Sequence, residues 1–547
     1  MKSGIIKFAI PLLLLLSSCD RDILELQPSD QLSDGTVWSS PETANLFLND
    51  IYNSLNAGPI GSSWLNLPAQ VGNDPLADYT DDGMYGAVGG TPSYALFDNS
   101  SYGPDNLIFK NTWSIMYENI RKTNLLIEKV TASELKEEDK ENFIAQSRFL
   151  RAYFYKTLID LYGGVPIITT VLDRNNGEQI AFPRNTYEEC VTFLQNEMAE
   201  ISEILHAQIT TPENLGRATK GAALAIKGEA ELYAGRWEAA AATNWEIIQP
   251  GNYSLFPDYA GLFYADNENN EEVIFDIQYA ANIKPKHINQ YWGVIQSTSG
   301  AGWGNGAPTQ ELVDSYEFRD GKTAAEGSAF YDPSAPYKNR DSRFYASIIY
   351  DGSIWRGDRI YTRLGIPNNP NEINLVGRGG NTNRTGYMIK KVQDSTISSR
   401  RSDLDGTNVI IFRYAEVLLN YAEAKNESSG PDQTVYDAVN DIRSRAGQPP
   451  LEPGLGQEEM RYEIRQERRV ELAFEGQRFY DIRRWRISEE IFSQPIHGIK
   501  IIDNNGELTY EKVPVRNVVF NASKNYLMPI PQYAIDQNPE LTQNPGY

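Results

Sequence analysis

Apolar residues return every three or four positions through long stretches of the chain, a period that predicts amphipathic helices. Ser40 is placed to cap a helix over residues 41–56 that gathers Leu46, Leu48, Ile51, Tyr52 and Leu55 near one face. A second helix over 111–130 carries Trp113, Met116, Tyr117, Ile120, Leu125, Ile127 and Val130. A third, over 138–161, runs into Gly163, Gly164 and Pro166, which stop it. Another begins near Thr186 and carries Cys190. In 216–248 the small residues Ala222, Ala225 and Gly228 alternate with Leu232 and Tyr233, then a turn at Gly235 leads into an alanine-rich helix. Small residues let two helices approach closely as an antiparallel hairpin. Residues 414–427 and 435–447 form a second such pair.

The stretch "LYAGRWEAA" resembles the junction of a tetratricopeptide repeat, but the spacing between copies is not constant. The pattern predicts a mainly α fold, a scaffold of helical hairpins with large irregular insertions at about 58–106 and 250–408. The insertions are rich in Gly, Asn, Asp, Ser and aromatics, with short strand-like pieces such as "EVIFDIQY" and "FYASIIY". They are too long to be plain connections, and long irregular insertions are often functional.

The first residues follow a different pattern. Lys2 and Lys7 precede an apolar run, Phe8 to Leu16, which is shorter than the roughly 20 residues needed to span a bilayer. It fits a secretory signal peptide over residues 1–18. The segment ends Leu16-Ser17-Ser18-Cys19, which resembles a bacterial lipoprotein signal, with Cys19 the lipidated first residue of the mature chain. Asp20-Arg21-Asp22 resemble the surface-export signal of Bacteroidetes lipoproteins. Residues 19–40 then read as a tether and 41–547 as one domain. With Cys19 consumed, Cys190 has no disulfide partner, so the fold stands on its core.

Composition narrows the function. The formal charge of −23 lacks the basic face a nucleic-acid binder requires. Aromatics make up 11% of the chain, with 32 Tyr and 9 Trp, enough to place rings on a binding surface as well as in the core. His206, His287 and His497 are far apart and share no motif, which argues against a zinc site or a serine–histidine system; no cofactor or metal is expected. "DYTDDG", residues 78–83, lacks the spacing of a twelve-residue calcium loop and reads as a solvated turn. Glu467, Glu471 and Glu475 fall on one helical stripe, with Arg465, Arg468, Arg469 and Arg478 close enough to neutralise them. Neighbouring arginines lower a carboxyl pKa, the opposite of what a glycosidase general acid needs, so the stripe reads as a salt-bridge network. "GAGWGNG", residues 300–306, has no strand before it and no helix after it, and makes a poor nucleotide cradle. It suits a sugar better. Glycines flank Trp303, Asn305 lies two positions on, and Trp292 lies eleven residues earlier; an indole plane takes the C–H face of a pyranose while amides take hydroxyls. Burial of both tryptophans as core anchors is the competing reading.

Four segments resemble the signatures of the SusD/RagB family: "EIRQERRVELAFEGQRFYDIRRW" (463–485), "YLMPIPQYAIDQNPELTQNPGY" (526–547), "FRYAEVLLNYAEA" (412–424) and "YGGVPI" after the long aromatic-rich helix. They follow the expected order from end to end of the chain. The resemblance implies a surface-exposed outer-membrane lipoprotein with an all-helical, tetratricopeptide-containing scaffold. It further implies that the protein sits as a lid on a SusC-like TonB-dependent transporter and delivers oligosaccharides without catalysis. It draws stacking residues from the middle region and from the loop before residue 111, where Asn73, Asp74, Tyr79, Tyr85 and Tyr94 are candidates, with Trp64 and Trp355 weaker ones. Capture of peptides by the same lid, or a helical-repeat interaction scaffold, remain the alternatives.

Overall fold

The computed structural model describes residues 37–56, 75–86, 97–173, 180–208, 211–286, 288–298, 300–375 and 382–547. The signal segment, Cys19, Asn73, Asp74, Tyr94, Trp64 and His287 lie outside the described residues.

The predicted helices form, and α-helices dominate. Helix α1 (Pro41–Asn53) starts on the Ser40 cap, but its buried face is Ala44, Leu48 and Ile51; Leu46 points to solvent, 56% exposed. Helices α2 (Leu107–Thr131), α3 (Glu137–Tyr162), α4 (Tyr187–Ser202), α5 (Lys220–Tyr233) and α6 (Trp237–Ile248) pack each against the next. Helix α3 ends where Gly163 turns to φ +74°. A capping box between Thr186 and Glu189 starts α4, which buries Cys190 in the core, where burial raises the thiol pKa. The close approach of α5 and α6 needs its glycine: a Cβ on Gly228 would come within 2.7 Å of the Asn244 amide.

The middle insertion carries the short helices α7 (Ile288–Tyr291), α8 (Gln310–Ser315) and α9 (Ser342–Ser347). After it, α10 (Tyr414–Ser429) packs on α6, and α11 (Gln433–Arg445) and α12 (Gln457–Glu471) pack on α10. Helices α13 (Gln477–Arg484), α14 (Ser488–Ile491) and α15 (Gln532–Gln537) follow toward the C-terminal end.

Strands occur in antiparallel pairs. Strand β1 (Gly83–Tyr85) pairs with β3 (Gly306–Pro308), and β2 (Val273–Ile277) with β8 (Val409–Arg413). Strand β4 (Ile348–Ile349) pairs with β7 (Met388–Ile389), β5 (Ile354–Trp355) with β6 (Asp358–Arg359), and β9 (Ile496–Asn504) with β10 (Glu507–Arg516). "EVIFDIQY" is the strand its pattern predicts. "FYASIIY" is half helix: Asp341 caps α9 and only Ile348–Ile349 are extended. Asp341 also accepts from the Arg343 guanidinium of the same turn, which favours the helical start.

The glutamate stripe is ionic, but its partners come from distant segments. Helix α12 ends at Glu471, so Glu475 lies beyond it. Glu471 meets Arg343 at 3.0 Å and Arg413 at 2.6 Å, and also pairs with Arg445. Glu467 pairs with Arg343 and Arg443, and Glu475 with Arg413 and Lys391. Asp341, Glu272 and Glu317 close the cluster through Arg343, Arg413, Arg445 and Arg443. The stripe's own arginines turn elsewhere. Arg468 binds Asp481, Arg469 and Arg478 bind Asp81, and Arg465 stacks on Trp485. Asp81 and Asp82 are therefore buried ion-pair partners rather than a solvated turn. Among the described residues, no group of three or more metal-ligating side chains is found.

Although burial raises the Glu471 pKa, the arginines around it dominate and hold the carboxyl well below the usual range. Such a carboxylate stabilises the fold fully above the ordinary glutamate range, and the contribution fades as pH falls toward the lowered folded value. Glu471→Gln leaves three buried arginines short of a counter-charge. We expect a loss of about 3–5 kcal/mol in urea unfolding at neutral pH, with the gap to the parent narrowing in acid. A loss under about 1 kcal/mol would show that the cluster is not a stabilising unit.

Candidate functional site

The region around Trp303 is a backbone hairpin wound onto α7. After Tyr291 the chain runs outward, turns between Ser297 and Gly300, and returns. On the return, Gly302 N–H donates to Val294 O (2.7 Å), Trp303 N–H to Gln290 O (2.8 Å), Gly304 N–H to Gly293 O (3.0 Å) and Asn305 N–H to Tyr291 O (2.9 Å). The alternating glycines permit this contact. A Cβ on Gly302 would lie 2.4 Å from Gly293 O, and Gly304 adopts φ +61°. Their first role is close backbone approach.

The first loop joins the hairpin. Gly86 N–H donates to Asn305 O (2.8 Å), and β1 runs along β3 with Tyr85 opposite Gly306. Thr382 Oγ1 donates to Gly86 O from a third segment. Strand β1 is itself fixed from behind: Asp81 and Asp82 pair with Arg469 of α12, and Arg516 Nη1 donates to Asp78 O and Gly83 O. At the outer end, Thr298 Oγ1 donates to Asp358 (2.6 Å), and Gln296 exchanges backbone hydrogen bonds with the Asn371 amide.

The fold thus brings the backbone at Tyr85 against the backbone at Asn305 and Gly306, two residues from Trp303, from two distant insertions. Trp303 is half-buried, its ring packed on Tyr291 with centroids 5.0 Å apart at 58°. Asn305 Oδ1 is buried with no hydrogen-bond partner among the described residues. Burial raises the phenol pKa of both Tyr85 and Tyr291, so both stay neutral hydrogen-bonding groups at physiological pH. The result is a small aromatic ledge, the tilted Tyr291–Trp303 pair, with Tyr85 joined to the hairpin through the β1–β3 backbone.

Other candidates are not on that ledge. Trp292 is 6% exposed and packs in the core with Ile288, Tyr387 and Ile389. Trp355 is 2% exposed beneath the Arg356 guanidinium, and Tyr79 is buried against Phe97. Tyr291 had been passed over in the sequence. The signal lies in "QYW": on one turn of helix adjacent rings face different ways, so Tyr291 and Trp292 do not share one face.

Comparison with known proteins agrees with this architecture. The sequence model of the SusD family matches residues 271–547, half of the chain, and the model described as "Starch-binding associating with outer membrane" matches 87–229. The chain belongs to the SusD family. It is 27% identical to the SusD-like protein P2 of Formosa agariphila, over the whole of both chains. It is 30% identical to the starch-binding protein SusD of Bacteroides thetaiotaomicron, over 138 residues, 24% of each chain. A SusD-like carbohydrate-binding protein of Bacteroides fragilis superposes with a TM-score of 0.82 at 27% identity, covering 93% of this chain and 100% of that one.

Gly302→Ala tests the hairpin. Overpacking costs about 1–3 kcal/mol, so amide exchange at residues 302–305 should quicken about tenfold or more while α2 to α6 keep their protection. Unchanged protection would mean that the close crossing does not hold the loop.

Proposed function

We propose that this protein captures oligosaccharides at the cell surface and delivers them to a SusC-like TonB-dependent transporter, without breaking a bond. Residues 1–18 are a signal peptide, Cys19 carries the lipid anchor, 19–40 form the tether and 41–547 the working domain. The observation that carries the reading is the Tyr291–Trp303 ring pair on the hairpin, half-buried with Asn305 two residues on. Rings accept the apolar face of a pyranose. The printed descriptions of family members as starch-binding or carbohydrate-binding point the same way. Among the described residues no helix is long and apolar enough to cross a membrane.

The carboxylates support a binding role. Glu467, Glu471 and Glu475 are all ion-paired, and a carboxylate held low is a poor general acid. Burial does raise Asp160 to about 6 and Glu416 to about 8, but these sit around Lys156 and Arg468 between α3, α10 and α12, not on the ledge.

Titration of the full-length protein in detergent with a panel of neutral oligosaccharides tests this. Trp303→Ala should weaken binding by about 1–3 kcal/mol, by analogy with stacked bases. Trp292→Ala should instead lower unfolding stability by about 3–5 kcal/mol, as expected of a core aromatic. Binding of peptides with no glycan bound, or shortened sugars recovered after incubation, would overturn the reading.

A further inference from the structure

A second polar cleft lies on the helical scaffold, built from α1 and the segments around residues 213–217 and 276–284, none of them part of the Trp303 hairpin. Arg217 stands at its centre, between a hollow of about 270 Å³ and another of about 230 Å³. Its guanidinium lies over the Tyr52 ring, 4.6 Å from the centroid. Nη2 donates to Asn45 Oδ1 at 2.8 Å and to Asn49 Oδ1. Nη1 is buried without a hydrogen-bond partner, the only terminal guanidinium nitrogen in that condition among the described residues.

In this it differs from the arginines of the ionic cluster and resembles Arg340 and Arg356, which also meet only neutral groups. Arg343 and Arg413 meet carboxylates, and Arg340 donates to backbone carbonyls. Among the described residues Arg217 has no carboxylate partner; it meets the Asn45 and Asn49 amides and the Tyr52 phenol. The second hollow holds another such cation. Lys284 lies 5.0 Å from the Tyr279 ring centre, with no carboxylate partner among the described residues, and desolvation pushes its ammonium down to about 8. Two acids also line this hollow. Asp276 is pushed up to about 6 by burial and accepts from Gln278 and Asn408; Glu213 is exposed on the rim. A desolvated cation without a counter-charge is costly, and an entering anion recovers that cost.

We propose that this cleft binds a carboxylate-bearing sugar unit, a hexuronate, with its carboxylate on Arg217 and its hydroxyls on the amides of Asn45, Asn49 and Gln278. The Asn45 and Asn49 oxygens already accept from Arg217, which turns their NH₂ groups into donors for the ligand. The inference rests on the capture reading and gives it a second subsite, one selective for charge.

The full-length protein in detergent is titrated by NMR with D-galacturonate, D-glucuronate, their methyl esters and acetate. At least one uronate should bind, with its ester and acetate about tenfold weaker or more. Arg217→Gln should weaken uronate binding about tenfold. Lys284→Gln breaks no side-chain hydrogen bond or ion pair among the described residues; it should weaken binding about threefold and reads the same cleft should the first variant melt early. Both variants should keep the parent's affinity for neutral glycan, and Trp303→Ala should keep the affinity for uronate. Uronate bound no better than its ester, acetate bound equally well, or undiminished uronate binding in both variants would overturn the proposal. Loss of neutral-glycan binding alone would count against the capture reading and leave this cleft standing.

Discussion

Glu471 is the residue on which the rest of the structure depends. Its carboxylate sits at the end of α12, fully buried, between Arg343, Arg413 and Arg445. Those arginines come from the middle insertion, the end of β8 and α11. Burying so many charges is unfavourable unless every one is matched. The cluster comes close to balance: Asp341, Glu272, Glu317, Glu467, Glu471 and Glu475 face Arg343, Arg413, Arg443, Arg445 and Lys391. The surplus of one acid is eased at Glu317, where burial raises the carboxyl pKa against the pull of Arg443. The match is complete only when segments more than a hundred residues apart are all in place. The cluster thus couples the helical scaffold to the insertion as one cooperative unit.

From that cluster the same helix reaches the ledge. Arg469, two residues before Glu471, binds Asp81 and Asp82 and so fixes the start of β1. Strand β1 pairs with β3, Gly86 holds Asn305, and the hairpin carrying Trp303 hangs from that joint. A loop site built this way keeps its geometry although it has little secondary structure of its own. Rigidity reaches it through ion pairs and backbone hydrogen bonds rather than through a sheet.

The helical scaffold was legible because its signal is local. Period, caps and stops each act within a turn or two, and α3, α4 and α10 form close to where the pattern places them. Leu46 was misplaced because the face of α1 is decided by its neighbours, and Ala44 packs where the larger side chain does not. The ionic role of Glu467, Glu471 and Glu475 could be read from composition, but their partners could not. Spacing along one helix is visible in a sequence, whereas Arg343 and Arg413 arrive from elsewhere in the fold. Likewise, both tryptophans of the middle region stood out equally. Only the backbone crossing of Gly293 and Gly302 separates half-buried Trp303 from Trp292 in the core. The Arg217 cleft gave no sequence signal, since an arginine without an acid partner looks like any other arginine until its surroundings are known.

The most direct test of the account is a crystal structure of the protein with the oligosaccharide it binds most tightly. A pyranose ring should pack within about 5 Å of the Trp303 and Tyr291 planes, with the glycosidic bonds intact. A ligand seated away from Tyr85, Tyr291 and Trp303, or found cleaved, would contradict it.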